Sequence, residues 1–190
     1  MIELVTRTTE IFTLLQQITK KNLTKSMFML YYIHVRQQGG AMKIKLNKVY
    51  KFEIKNFSFG DIPREELIEN FRDGRCCSWF VEPQIVKWFP ELKRVKGNLD
   101  HDHIDKDGIK YDAKNFTKNG LKFKPSNQIG SGRKFNESIA HDKANKLIYI
   151  CCDIVEFPKI RVKFIKGADL IKKYPKCEIN KGSREEFFNG

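Results

Sequence analysis

These 190 residues contain no CxxC pair, no even set of cysteines and no long apolar run. The five cysteines fall as two adjacent pairs, Cys76-Cys77 and Cys151-Cys152, and a separate Cys177. That spacing excludes a disulfide framework and a structural zinc site, both of which need cysteines set apart at defined intervals. Unpaired, buried thiols in a reducing, cytoplasmic compartment are expected instead. The longest apolar run, residues 27–33, is far short of the roughly 20 residues that span a bilayer, and no cleavable signal pattern precedes it. A soluble protein with no membrane partner is expected. Internal repeats and low-complexity tails are lacking too, which excludes repeat architectures. Acidic residues are the scarce charge: 23 Asp and Glu stand against 36 Lys and Arg, a formal net charge of +13.

Such an excess favours a polyanionic partner held by salt-sensitive phosphate contacts, with nucleic acid the first choice. The length suits one ordinary domain with a sizeable core. Residues 1–41 differ in character from the rest. Ile11, Leu14, Leu15 and Ile18 have helical spacing, and the segment closes on Gly39-Gly40-Ala41-Met42. Codons for the two glycines can carry a purine-rich ribosome-binding sequence, which makes Met42 an alternative start. The expectation is an N-terminal helical extension over 1–41, not necessarily part of the native product, and a working domain over 42–190.

Within 42–190 the pattern is that of an α/β fold. Ile44, Leu46, Tyr50, Phe52 and Ile54 alternate as one long strand. Asp61 and Pro63 open a helix that buries Leu67, Ile68 and Phe71, and Asp73-Gly74 breaks it. Residues 79–89 read as a second helix, kinked or opened by Pro83. Residues 147–155 form a nearly continuous apolar run, as a central strand covered on both faces would. Ile160, Val162 and Phe164 alternate as its neighbour, and residues 168–173 form a short helix. The sum is a single α/β domain with a central mixed β-sheet flanked by helices.

The informative stretch is residues 102–114. Asp107-Gly108 marks a hairpin turn. Beyond it Ile109, Tyr111 and Ala113 share one face, while Lys110, Asp112 and Lys114 share the other. A second acid, Asp102 or Asp100, can return to Asp112 on the paired strand. Two carboxylates suit a hard divalent cation, and a lysine beside them can steady an anion or assist a water.

An acid, a spacing of ten, then acid-x-Lys on a hairpin resembles the PD-(D/E)xK nucleases. The match is Asp102 with Asp112-Ala113-Lys114 and spans roughly residues 79–135. Gly108 and Tyr111 make it most similar to type II restriction endonucleases of the EcoRV-like branch, the PvuII type. The resemblance implies a restriction-endonuclease-like fold and a DNA endonuclease hydrolysing phosphodiester bonds. In it Asp102 and Asp112 would bind Mg²⁺, with Asp100 the other choice of first acid, and Lys114 would orient or activate water. Glu82, on the helix ahead of the hairpin, would be the fourth catalytic residue. Asp102 is not preceded by the proline of that pattern.

Segment 118–134 suits DNA contact. Lys118, Lys122, Lys124 and Lys134 are placed to neutralise phosphates, while Ser126, Asn127, Gln128 and Arg133 can hydrogen-bond bases or backbone. Double-stranded DNA is the expected partner, and cutting both strands calls for a homodimer. Two other readings compete. Asp100-His101-Asp102-His103 resembles the strand of HNH, endonuclease VII-like ββα-metal nucleases, with a histidine as base and Asn127 a metal ligand. A non-catalytic DNA-binding module would carry the same charge without cutting.

Overall fold

One strand with two covered faces organises the fold, and it is the run over 147–155. The computed structural model describes residues 43–97 and 100–189; the extension expected over 1–41 and the choice between Met1 and Met42 lie outside them. In chain order the elements are β1 (Val49–Glu53), α1 (Arg64–Phe71), α2 (Gly74–Trp88), β2 (Lys93–Arg94), β3 (His103–Ile104), β4 (Lys110–Phe116) and β5 (Leu121–Lys122). There follow a 3₁₀ turn (Ser126–Gln128), α3 (Glu137–Ala144), β6 (Ile148–Asp153), β7 (Lys159–Lys166), α4 (Gly167–Lys173), β8 (Glu178–Ile179), a second 3₁₀ turn (Lys181–Ser183) and α5 (Arg184–Asn189). Six strands form a mixed sheet in the order β1-β7-β6-β4-β3-β2, parallel only between β4 and β6. β5 and β8 form a separate two-stranded piece. The domain is α/β, as its alternating patterns imply.

Strand periodicity splits the core in two. Tyr111 and Ala113 of β4, Ile150 and Cys152 of β6, and Ile160, Val162 and Phe164 of β7 pack with Cys77, Val81 and Ile85 of α2. On the opposite face Phe116, Tyr149 and Cys151 pack with Ala140 and Ala144 of α3, Leu170 of α4 and Phe187 and Phe188 of α5. A two-residue period and two covered faces are what a run of this composition requires. The cysteines are unpaired, as expected, and four are buried; Cys76 is exposed.

Local chemistry revises three expectations. The strand expected from Ile44 to Ile54 is short, because Asn47 turns at φ 61° and leaves Leu46 only an isolated bridge to Phe164. Asp73-Gly74 ends one helix and starts the next: the Asp73 carboxylate accepts the Arg75 backbone N–H at 2.8 Å as an N-cap. Pro83 sits inside an unbroken α2. The carbonyl deprived of its partner belongs to Trp79, which is 79% exposed, so water can replace the lost bond.

Two features hold α3, which the sequence patterns did not announce, against the sheet. Asn136 caps it by accepting the Ile139 N–H at 3.1 Å. Its last turn presses on α4 so closely that a Cβ at Gly167 would lie 2.0 Å from the Ala144 carbonyl oxygen. Gly167→Ala is therefore expected to lower the unfolding free energy by about 1–3 kcal/mol in urea titration. Gly182→Ala, with nothing within 4 Å of its Cβ, should change it by less than about 0.5 kcal/mol.

Candidate active site

The hairpin between β3 and β4 is fixed by Asp105. One carboxylate oxygen accepts the N–H groups of Asp107 and Ile109, each at 2.9 Å, and the other accepts the Tyr111 hydroxyl at 3.0 Å. Gly108 supplies the left-handed conformation, φ 79°, that the turn needs. Asp105 is thus a turn former and not a loose solvated acid. With the turn set, His103 faces Tyr111 and Ile104 faces Lys110. Continuing that register by one residue sets Asp102 opposite Asp112. The Asp102 N–H donates to the Tyr111 carbonyl at 2.9 Å, and its carboxylate Oδ2 accepts the Ala113 N–H at 2.8 Å.

Cross-strand neighbours share a face, so the two carboxyl groups lie on one side of the hairpin and perturb each other. Burial, followed by the hydrogen bond and charge of Asp112, pushes the Asp102 carboxyl up to about 7. Asp112, only 4% exposed, behaves oppositely. Burial opposes its ionisation, but the Lys114 ammonium, the Asp102 hydrogen bond and Lys143 outweigh it and hold the carboxyl below its ordinary range. Lys114 Nζ donates to Asp112 Oδ1 at 3.0 Å. Lys143 Nζ approaches Oδ2 at 3.5 Å, and Oδ2 accepts no hydrogen bond among the described side chains and backbone. Two acids and two lysines thus share one end of β4, on the face that carries α3.

No protein-family model matches the chain, and no curated protein or solved structure is significantly similar to it. The site therefore rests on its own geometry.

That geometry brings Asp102, Asp112 and Lys114 together and separates the others. Asp100 is exposed, and among the described residues no ion pair or hydrogen bond joins it to Asp112, whereas Asp102 stands opposite Asp112 in the strand register. Glu82, expected as the fourth member, is elsewhere. Its helix packs on the Tyr111 and Ala113 face, and its Oε2 is held by Arg94 Nε at 3.0 Å and Nη2 at 2.7 Å. His103 is fully buried on that same side, with Nε2 3.0 Å from the Glu82 carbonyl oxygen and its pKa lowered by burial. The ββα-metal reading needs a histidine facing the acids, whereas here the acids lie on the other face.

The polar segment also divides. Gln128 is buried and accepts the Asn136 N–H at 2.9 Å. Arg133 Nη1 closes its own loop on the Ser126 and Ile129 carbonyls, at 2.6 and 2.8 Å. Lys124 pairs with Glu178 and lies over the Phe135 ring. These three serve the loop's structure. Lys118, Lys122, Ser126, Asn127 and Lys134 are exposed and remain open to a nucleic-acid backbone. Lys143 is the site residue the sequence reading missed. Its signal was the Asn136 cap followed by Ala140, Ala144 and Leu147 at helical spacing.

The donor set fits a hard cation. Two carboxylates in contact repel each other when ionised, and a divalent ion relieves that repulsion. Among the described residues no three His, Cys, Asp or Glu side chains are grouped as ligands. The protein's acidic donors would be Asp102 and Asp112, in keeping with Mg²⁺, which keeps several waters and takes one or two carboxylates plus substrate phosphate.

The raised Asp102 carboxyl carries a stability signature. A group whose pKa rises on folding contributes stability that is full below its ordinary value, 3.8, and lost as pH climbs through about 7. Metal-free wild type is expected to lose urea resistance between pH 5 and pH 8 relative to Asp102→Asn. Mg²⁺ should restore it at pH 8 and not at pH 5, where the proton competes. Parallel pH profiles of the two proteins would contradict the pairing.

Proposed function

We propose that the chain is a Mg²⁺-dependent DNA endonuclease that hydrolyses phosphodiester bonds, related in design to the PD-(D/E)xK restriction enzymes its hairpin resembles. The observation that carries the reading is that the β3–β4 register sets Asp102 opposite Asp112, with Lys114 hydrogen-bonded to the second of them. Such a pair is electrostatically unfavourable by itself and gains its purpose from a cation. The net charge of +13 supplies the long-range attraction for the polyanion.

In this mechanism Asp102 and Asp112 would hold the metal ion at the end of β4. When bound, Mg²⁺ would acidify a water and offset the charge that grows on the phosphate. Lys114 would position a water for attack on phosphorus. One P–O bond would form to the water oxygen, which gives a proton to solvent, while the ester P–O bond opposite it breaks and the departing oxygen takes up a proton from solvent. Lys118, Lys122 and Lys134 neutralise neighbouring phosphates, and Ser126 and Asn127 lie on an exposed turn able to approach the duplex. Two such sites in a homodimer would cut both strands of a two-fold-symmetric target. Five unpaired thiols suit a cytoplasmic setting. Among the described residues no helix is long and apolar enough to cross a membrane.

One observation favours a second reading. Both Asp112 oxygens already face an ammonium group, an arrangement that could serve a module gripping phosphate without cutting. Incubation of plasmid DNA with Mg²⁺ separates the two. Wild type is expected to nick or linearise the plasmid, while Asp112→Asn and Lys114→Ala lower the rate about 100-fold or more with a cooperative melting transition retained well above the assay temperature. His101→Ala should cut like wild type. Intact plasmid in every lane, with DNA retained in a gel-shift assay, would establish the binding module instead.

A further inference from the structure

Lys143 and Lys114 approach the same carboxylate but in different ways. Lys114 comes from β4 itself and makes a hydrogen bond to Oδ1. Lys143 comes from α3, across the face of the sheet, and stands 3.5 Å from Oδ2 without a hydrogen bond. Its side chain is 24% exposed against 5% for Asp112, so its stem crosses from a buried anion towards solvent. The backbone that carries it cannot drift: Ala140 and Ala144 are buried, Asn136 caps the helix, and Gly167 abuts the Ala144 carbonyl. An anchored backbone with a long flexible side chain lets the ammonium group move while its origin stays fixed.

We propose that Lys143 is an exchangeable counter-ion: it occupies the cation's place at Asp112 Oδ2 and transfers to a nucleic-acid phosphate when a divalent ion binds. The inference rests on the nuclease reading for the identity of the anion, but its metal half stands on Asp112 alone. With the phosphate present, Lys143 gains a second anion, so its displacement from Asp112 costs less. Metal and nucleic acid then favour each other's binding, and by linkage each does so to the same extent. In the free protein Lys143 instead competes with the metal, which keeps the loaded site rare until the polyanion arrives. Lys114 is not given this part, because it already hydrogen-bonds Asp112 Oδ1 from the same strand and is assigned to the water there.

The test uses the full chain and two probes, Mn²⁺ alone and a short DNA duplex measured in Ca²⁺ and in EDTA. For Mn²⁺ the free-ion paramagnetic resonance signal reports binding. Lys143→Gln removes the charge and keeps much of the length, and Lys143→Arg keeps the charge. Removing one positive charge several ångströms from the ion is expected to tighten Mn²⁺ binding about tenfold, with Lys143→Arg returning close to wild type. With Ca²⁺ present the same Lys143→Gln protein should bind duplex more weakly than wild type, and the salt dependence of its binding should fall by about one ion. In EDTA, where Lys143 stays on Asp112, the two proteins should bind duplex with the same salt dependence. A role confined to holding the helix would weaken both or leave both unchanged, and melting curves report it directly. Unchanged or weaker Mn²⁺ binding by Lys143→Gln overturns the proposal, as does an unchanged salt slope in Ca²⁺. Mn²⁺ binding that survives Asp112→Asn overturns the metal site itself. If Mn²⁺ and duplex binding shift as expected and no plasmid is cut, the exchange stands and the nuclease reading fails.

Discussion

Two carboxyl groups forced together at the end of a rigid strand are the constraint around which this protein is arranged. Asp102 and Asp112 meet because a turn built on Asp105 and Gly108 sets the register of β3 against β4. That register is reinforced where the Asp102 carboxylate accepts the Ala113 N–H. Because β4 lies inside the sheet, between β3 and β6, Asp112 cannot retreat by bending its strand, and Asp102 is tied to β4 by its backbone N–H and its carboxylate. The repulsion is met by chemistry: Asp102 holds its proton up to about pH 7, and Asp112 stays ionised between two ammonium groups. On the proposed reading, those protons and lysine contacts would give way to a metal ion and a phosphate.

The sheet's two faces divide the labour. The face under α2 is apolar and aromatic, with Phe89 and Phe164 edge-to-face at a centroid distance of 4.8 Å, and it supplies rigidity. Glu82, Arg94 and His103 belong to that side and tie α2 to the β2–β3 edge. The face under α3, α4 and α5 is apolar around Phe116 and polar at the Asp112 end, where Lys114 and Lys143 converge. The distal end of β6 carries a separate network, in which Asp153, 1% exposed, is held by Arg161 and Arg184, themselves paired to Glu185 and Glu156. Buried charge is thus compensated at both ends of the central strand, by different partners.

Much of this was legible in the residues. The alternation over 109–114 placed Asp112 and Lys114 together, and the nearly continuous apolar run over 147–155 identified the central strand. Both signals are periodic and survive without knowledge of tertiary contacts. What was not legible depended on long-range partners. Gln128 and Arg133 look like base readers in sequence, because amide and guanidinium groups serve DNA and loop carbonyls equally well; only the fold shows which partner is near. Glu82 is six residues short of the end of a helix whose packing face decides its direction, and that face follows from Val81 and Ile85. Helix α3 was overlooked because its buried side is made of alanines, whose small size weakens the hydrophobic signal, and with it went Lys143.

The central claim is that the Asp102 and Asp112 carboxyls together hold one divalent ion. Anomalous scattering from crystals of the protein soaked in Mn²⁺ tests it most directly. A single strong peak within coordination distance of both carboxylates, lost in Asp112→Asn, is the predicted result. A peak bound by other side chains, or no peak beside either acid at saturating Mn²⁺, would contradict it.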